Sequence, residues 1–153
     1  MLPQFIMMRS MGLYDTLLAM IVLQAFSAFG VFLMRQFYQG IPTELCEAAR
    51  IDGLSEYGIW AKIMLPLSTA AIATLVIFTF VNTWNDYMGP MIYLTTDLNK
   101  TIQVGLRRFI QEYTSDYHLI MAASLVLLLP VSVVFLCLQK YFIEGIATSG
   151  LKG

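Results

Sequence analysis

Three apolar stretches of this chain are each about as long as the oily interior of a bilayer is thick. Leu13–Met34 is 22 residues with one charge, Asp15, near its start, while Met64–Trp84 and Leu119–Gln139 are 21 residues each with none. At about 1.5 Å rise per residue, each stretch makes about 30 Å of helix, which matches the hydrocarbon core. Helix is dictated because lipid offers no partners to loose backbone groups. The competing arrangement, three buried helices of a soluble bundle, would need polar side chains to coat its outside. Only 12% of the residues are charged and 58% are hydrophobic, and that charged share is about half the soluble norm. The reading is therefore an all-α, polytopic membrane protein: one transmembrane domain over 1–153, with spans at about 13–34, 64–88 and 119–139.

Other function classes are poorly served by the same residues. A net charge of −1 leaves no footprint for nucleic acid. Cys46 and Cys137 fall in a charged loop and in the last span, which does not read as a disulfide framework. His118 has no Cys or His partner at ligand spacing, so no metal site is expected. The first ten residues, MLPQFIMMRS, have no basic leader before a cleavable apolar core, so no signal peptide is expected. No G-x-x-x-x-G-K-[ST], G-x-S-x-G or H-E-x-x-H pattern occurs. The chain is expected to be no enzyme and to bind no cofactor itself.

Three spans put the head and the Thr95–His118 loop on one side, and the Arg35–Lys62 loop and the tail on the other. Arg35, Arg50, Lys62, Lys140 and Lys152 lie on the second side, against Arg9, Lys100, Arg107 and Arg108 on the first. Five against four favours a cytoplasmic Arg35–Lys62 loop by only one charge. Pro90 breaks or kinks the segment after the second span, and Pro130 lies mid-way along the third and bends it.

The loop 42–63 is the most structured part of the sequence outside the spans. Pro42 opens a helix with Glu44 in its first turn. Glu47 and Arg50 are three apart and can pair along one face. Asp52-Gly53 ends the helix, glycine entering the left-handed conformation at little cost. Ser55 caps a second helix with Glu56 in its first turn, and Pro66 follows where a first-turn proline can start the next span. Two short helices about a tight turn suit a slim knob that fits a groove on another protein. They also suit an interfacial helix lying on lipid headgroups, and the residues alone leave both open.

Glu47-Ala48-Ala49, then Gly53 after three residues, then Ile63-x-Leu65-Pro66 after nine more, resembles the EAA loop of bacterial ABC importer permeases. Every fixed position of E-A-A-x(3)-G-x(9)-I-x-L-P is present. The stretch Phe80–Leu94 (FVNTWNDYMGPMIYL) and the tail Lys140–Gly153 (KYFIEGIATSGLKG) resemble the carbohydrate-uptake branch, most closely the permeases related to the maltose transporter's second membrane protein. The resemblance implies a permease subunit of an ATP-driven sugar importer in the bacterial inner membrane. It implies an ATPase-coupling element made of Glu47, Ala48, Ala49 and Gly53, with Asp52 beside the turn. The loop and the tail Gly145–Gly153 would then be cytoplasmic. The implied partners are a cytoplasmic ABC ATPase dimer that holds the ATP, a second permease, and a periplasmic or lipid-anchored solute-binding protein, all amid membrane lipid. Such permeases usually have about six spans where this sequence has three, so a copy lacking its N-terminal spans is expected. A permease for a non-sugar solute and a remnant or scaffold without transport activity are the alternatives.

Polar residues within spans face a bundle interior or a wet cavity. Gln24, Ser27, Ser124 and Ser132 read as glue between helices. Asn82, Trp84, Asn85, Asp86 and Tyr87 are the candidates for a substrate path, amides and carboxylate for hydroxyls and rings for pyranose faces. Asp86 also lies close enough to the interface to reach water, and Trp84 and Tyr87 also fit as interfacial anchors.

Overall fold

The computed structural model describes residues 2–112 and 116–150, which form helices and short connectors with no strand. In chain order the helices are α1 (Leu2–Ser10), α2 (Leu17–Gln24), α3 (Ala28–Gln39), α4 (Thr43–Ile51), α5 (Glu56–Ile59), α6 (Leu65–Leu67), α7 (Thr69–Asn85), α8 (Met88–Tyr93), α9 (Ile102–Glu112) and α10 (Tyr117–Gly150). A π-turn, Trp60–Met64, joins α5 to α6, and a 3₁₀ turn, Asp97–Asn99, precedes α9. Of the expected cytoplasmic tail, residues 151–153 lie outside the described residues.

Among the described residues one helix, Tyr117–Lys140 with mean hydropathy 2.7, is by itself long and apolar enough to cross a membrane. There are three spans if Leu17–Gln24 with Ala28–Gln39, and Glu56–Leu67 with Thr69–Asn85, each count as one broken span. The breaks have local causes. The first stretch starts as a helix at Leu17 rather than Leu13, because Asp15 adopts a left-handed backbone (φ 59°). It is interrupted at 25–27, where the Ser27 hydroxyl accepts the Gly30 N–H at 3.2 Å and so starts α3 afresh. The second stretch turns by 72° about Ser68. Pro66 has no N–H for the Lys62 carbonyl, and the helix before it widens so that Leu65 N–H reaches back five residues to Trp60. The fully buried Ser68 then closes the turn, its hydroxyl donating to the Leu65 carbonyl at 2.9 Å. At its far end α7 stops at Asn85, short of Met88, and Pro90 sits in the first turn of α8 instead of breaking a helix. Pro130 lies inside α10, which continues through it.

The chain divides into two compact units, Met1–Phe26 with Phe80–Val133, and Ser27–Thr79 with Val134–Gly153. In the first, Met8, Ala19 and Tyr93 form a buried cluster with Phe5, Leu13, Met20, Leu23 and Ile92 against it. The Phe5 ring meets Tyr14 edge-on at 5.3 Å between centroids. Asp15 clamps this unit across a long sequence gap. Its carboxylate accepts the backbone N–H of Thr95 (2.8 Å) and Thr96 (3.0 Å) and the Thr96 hydroxyl, while Asn99 donates to its carbonyl at 2.8 Å. In the second unit, Phe29 meets Phe78 edge-on at 5.5 Å. Leu75 Cδ1 lies 3.0 Å from where a side chain on Gly30 would begin, so α3 and α7 pack closely there.

Asp15 precedes the span that begins at Leu17, and the hydrogen bonds from Thr96 and Thr95 hold its carboxyl far below the usual carboxylate range. A depressed folded-state pKa stabilises above the unfolded value and is lost as pH falls through the folded one. We therefore expect the thermal midpoint of the detergent-purified chain to fall below about pH 4. Asp15→Asn should lower the midpoint at pH 7 and remove most of that acid dependence. Equal acid slopes for both proteins in a melting series would contradict it.

Candidate functional site

Helix α4 ends in a Schellman turn, in which two backbone N–H groups bond back past the helix end. The Gly53 N–H bonds to the Arg50 carbonyl and the Leu54 N–H to the Ala49 carbonyl, both at 3.0 Å. Gly53 has φ +82°, and nothing lies within 4 Å of where a Cβ would stand, so backbone conformation and not crowding calls for glycine. The Ser55 hydroxyl then caps α5 by accepting the Gly58 N–H at 3.3 Å. At Gly58 a Cβ would lie 3.2 Å from Leu54 Cδ2, which would have to give by a few tenths of an ångström.

The two helices are also clipped by charge. Arg50 Nε and Nη2 donate to the two Glu56 oxygens at 2.7 and 3.2 Å. These bonds lower the Glu56 pKa and raise that of Arg50. The sequence suggested Glu47 for Arg50; the structure gives it Glu56, six residues on and across the glycine turn. Of the coupling candidates, Glu47, Ala48, Asp52 and Gly53 are exposed, whereas Ala49 is buried. Ala49 thus shapes the turn from within while its neighbours present the surface. Sequence reasoning missed the apolar members of this surface, Ile51 and Tyr57, each 86% exposed. Tyr57, Trp60 and Glu56 line an open hollow of about 380 Å³. The available signal was an unpartnered apolar residue at each end of a charged, glycine-hinged loop.

A second polar group lies in the other unit, around Asp86. Gln24 Nε2 donates to Asp86 Oδ2 at 3.1 Å, and the Thr83 hydroxyl donates to Gln24 Oε1 at 2.5 Å. Asp86 Oδ1 accepts the Gly89 N–H at 3.1 Å, which holds the start of α8. A Cβ on Gly89 would lie 2.6 Å from Asp86 Oδ2 and 2.9 Å from Met20 Cε, so a side chain there would have to displace both. Trp84 stacks on Phe80 at 5.7 Å and its indole N–H donates to the Leu127 carbonyl of α10 at 3.1 Å. Asn85 bonds to Val81 O on its own helix at 2.9 Å and is exposed, as is Asn82. Tyr87 has the Arg107 guanidinium over its ring at 5.4 Å. The five path candidates therefore divide: Asp86 and Trp84 are engaged in joining helices, Tyr87 is covered by a cation, and the two amides are open. Gln24 does join helices, while Ser124 and Ser132 only bond back to Ile120 and Leu128 within α10, and Ser27 caps α3. Among the described residues no cluster of metal-ligating side chains occurs.

Comparison with known proteins gives the chain's family. Residues 1–148 match the family described as binding-protein-dependent transport system inner membrane component. The arabinooligosaccharides transport system permease AraQ of Halalkalibacterium halodurans is 37% identical over 153 residues, covering 100% of this chain and 55% of AraQ. The polygalacturonan/rhamnogalacturonan transport system permease YtcP of Bacillus subtilis is 36% identical over 168 residues, covering 100% of this chain and 59% of YtcP. The lactose transport system permease LacG of Rhizobium radiobacter is 33% identical over 149 residues, covering 97% of this chain and 55% of LacG. The chain thus spans about half the length of the curated relatives it matches. A crystal structure of a bacterial ABC transporter that imports the acidic polysaccharide alginate superposes with a TM-score of 0.83 at 29% identity, over 93% of this chain and 56% of that one.

Since Gly53 is constrained by conformation alone, Gly53→Ala should strain the backbone by about 1–2 kcal/mol without any clash. Hydrogen exchange at the Leu54 amide should then quicken about tenfold, with exchange in α7 unchanged. Unaltered exchange at Leu54 would show that the turn does not depend on the left-handed residue.

Proposed function

Because this chain belongs to the family of binding-protein-dependent transport system inner membrane components, we propose that it forms part of the membrane path of an ATP-driven importer. Its solute is a saccharide, as the names of AraQ, YtcP and LacG suggest. The chain performs no chemistry: hydrolysis belongs to a cytoplasmic ATPase dimer, and ATP is bound there. A second permease and a solute-binding protein complete the assembly, and the α4–α5 elbow and the tail lie in the cytoplasm.

One observation carries this reading, the elbow formed by α4, the Schellman turn and α5 and closed by bonds across the turn. A coupling element has to move as a body, because a flexible one would absorb the displacement it should transmit. The elbow meets that need with two backbone bonds past the helix end, a side-chain cap and the two-pronged Arg50–Glu56 clip. Its exposed Glu47, Ala48, Ile51 and Tyr57 mix charge with apolar area, the composition of a protein-facing surface rather than of a solvated loop. Small Ala48 lets a partner's backbone come close. Displacement of the elbow passes through the π-turn and the bend at Ser68 into α7, an unbroken helix of 17 residues that carries Trp84 and Asn85 at its other end. The open Asn82 and Asn85 amides are suited to solute hydroxyls.

Glu47→Lys and Gly53→Pro should each reduce capture of the partner ATPase by about tenfold or more, the loss of a hot-spot contact, while insertion into membranes is retained. Capture unchanged by both would remove the coupling role from the elbow. With Cys46 and Cys137 replaced by serine, Arg50→Cys should resist an impermeant maleimide applied to intact cells and react after permeabilisation. Labelling from outside would invert the proposed orientation.

A further inference from the structure

The basic residues of the segment from Lys100 to Arg108 gather at a hollow that the permease reading leaves without a role. The hollow, of about 360 Å³, has Lys100, Arg107, Arg108 and Tyr87 in its lining, with Met91, Val104, Leu94 and Thr95 completing it. That volume is at the small end of ligand pockets, enough for a sugar ring or two. Lys100 and Arg108 both donate to one oxygen of a single carboxylate, Asp97 Oδ1, at 2.6 and 2.9 Å. Arg107 takes part in no ion pair among the described residues and rests over the Tyr87 ring at 5.4 Å. The lining carries three cations and no carboxylate of its own, with Asp97 paired to two of them and Asp15 held against the backbone of the lining residue Thr95, so positive charge is in excess by about one, while Met91 and Val104 give it an apolar floor. An aromatic ring, an apolar floor and a cationic rim together fit a ring whose carbon face is apolar and whose edge carries a carboxylate.

We propose that this hollow is a selectivity site for acidic sugars, binding the carboxylate of a uronate-type unit. The proposal rests on the permease reading and narrows its solute class. Asp97 acts as the resident stand-in: it is 77% exposed, held in its ionised form by Lys100 and Arg108, and displaceable by a second carboxylate. The incoming carboxylate takes the bonds of Lys100 and Arg108 and meets Arg107 directly, in the two-pronged geometry that guanidinium favours. A lipid phosphate is the competing occupant of such a basic rim. It would reach Arg108, whose side chain is 64% exposed, but Lys100 is only 18% exposed and turned into the hollow. The hollow also adjoins Tyr87, directly after the Asn82–Asp86 segment, which is where a solute on the path would pass.

The test uses the full chain in zwitterionic phosphatidylcholine nanodiscs, titrated calorimetrically with galacturonate, with galactose and with inorganic phosphate. Galacturonate should bind about tenfold or more tightly than galactose, the usual worth of a charge-assisted pair, and more tightly than phosphate. Arg107→Gln should weaken galacturonate about tenfold, and Asp97→Asn should strengthen it several-fold, a gain that a misfolded protein would not give. Equal binding of galactose, equal binding of phosphate, or loss of galacturonate binding when phosphatidylglycerol is added to the discs would each overturn the proposal. The last would assign the rim to lipid headgroups. Capture of the ATPase by the same preparation reads the permease role separately: capture without galacturonate binding removes this inference alone.

Discussion

A hydrophobic chain in lipid can bend only where something other than water satisfies the backbone groups that the bend releases. This constraint organises the whole structure. The first two apolar runs are interrupted or ended beside polar residues, and at each such place a side chain takes a freed group. Ser27 accepts the Gly30 N–H at the start of α3. Asp86 does the same for Gly89 at the start of α8. Ser68 works in the other direction, donating to the Leu65 carbonyl after a stretch already widened to accommodate Pro66. The polar residues that a hydropathy profile treats as blemishes are the ones that permit the chain to change direction.

The elbow is held by a different set of bonds, with its charged Arg50 and Glu56 side chains exposed. The Schellman turn, the Ser55 cap and the Arg50–Glu56 clip are each modest, since an exposed ion pair contributes about 0–1 kcal/mol and a cap about 1 kcal/mol. Their value lies in acting together on one short segment, fixing one helix against the next. Burial of Ala49 at the same turn explains why the paired alanines are not equivalent.

Much of this was legible in the residues. Helical structure in the apolar stretches follows from their length and absence of charge, although among the described residues only Tyr117–Lys140 is a single helix of spanning length, and the glycine turn follows from Asp52-Gly53 ahead of the Ser55 cap. The EAA spacing pointed to the family that the comparisons then gave. Other features were hidden for physical reasons. A serine within an apolar run reads equally as glue or as a cap, and only backbone geometry separates Ser27, which caps, from Ser124 and Ser132, which bond within their own helix. Arg50 was matched to Glu47 because helical spacing relates residues on one helix, whereas the observed partner lies beyond a reversal of direction. The Asp15 clamp joins residues about eighty apart in sequence, a pairing that no local pattern encodes. Pro66 was read as a helix start and lies in the first turn of α6, but the π-turn that precedes it has no local sequence signature.

The indole of Trp84 bonds to the Leu127 carbonyl, one residue beyond the Val126 carbonyl that Pro130 deprives of its usual donor. A side chain from a neighbouring helix thus shares a main-chain acceptor within the turn that precedes Pro130. The chain has two tryptophans, Trp60 in the π-turn beside the elbow and Trp84 at this cross-link. Each tryptophan thus reports on a different unit of the chain. A turn of α7 about its axis that broke the Trp84–Leu127 bond would change the polarity around that indole, so under the proposed permease role its emission would report movement of α7 against α10.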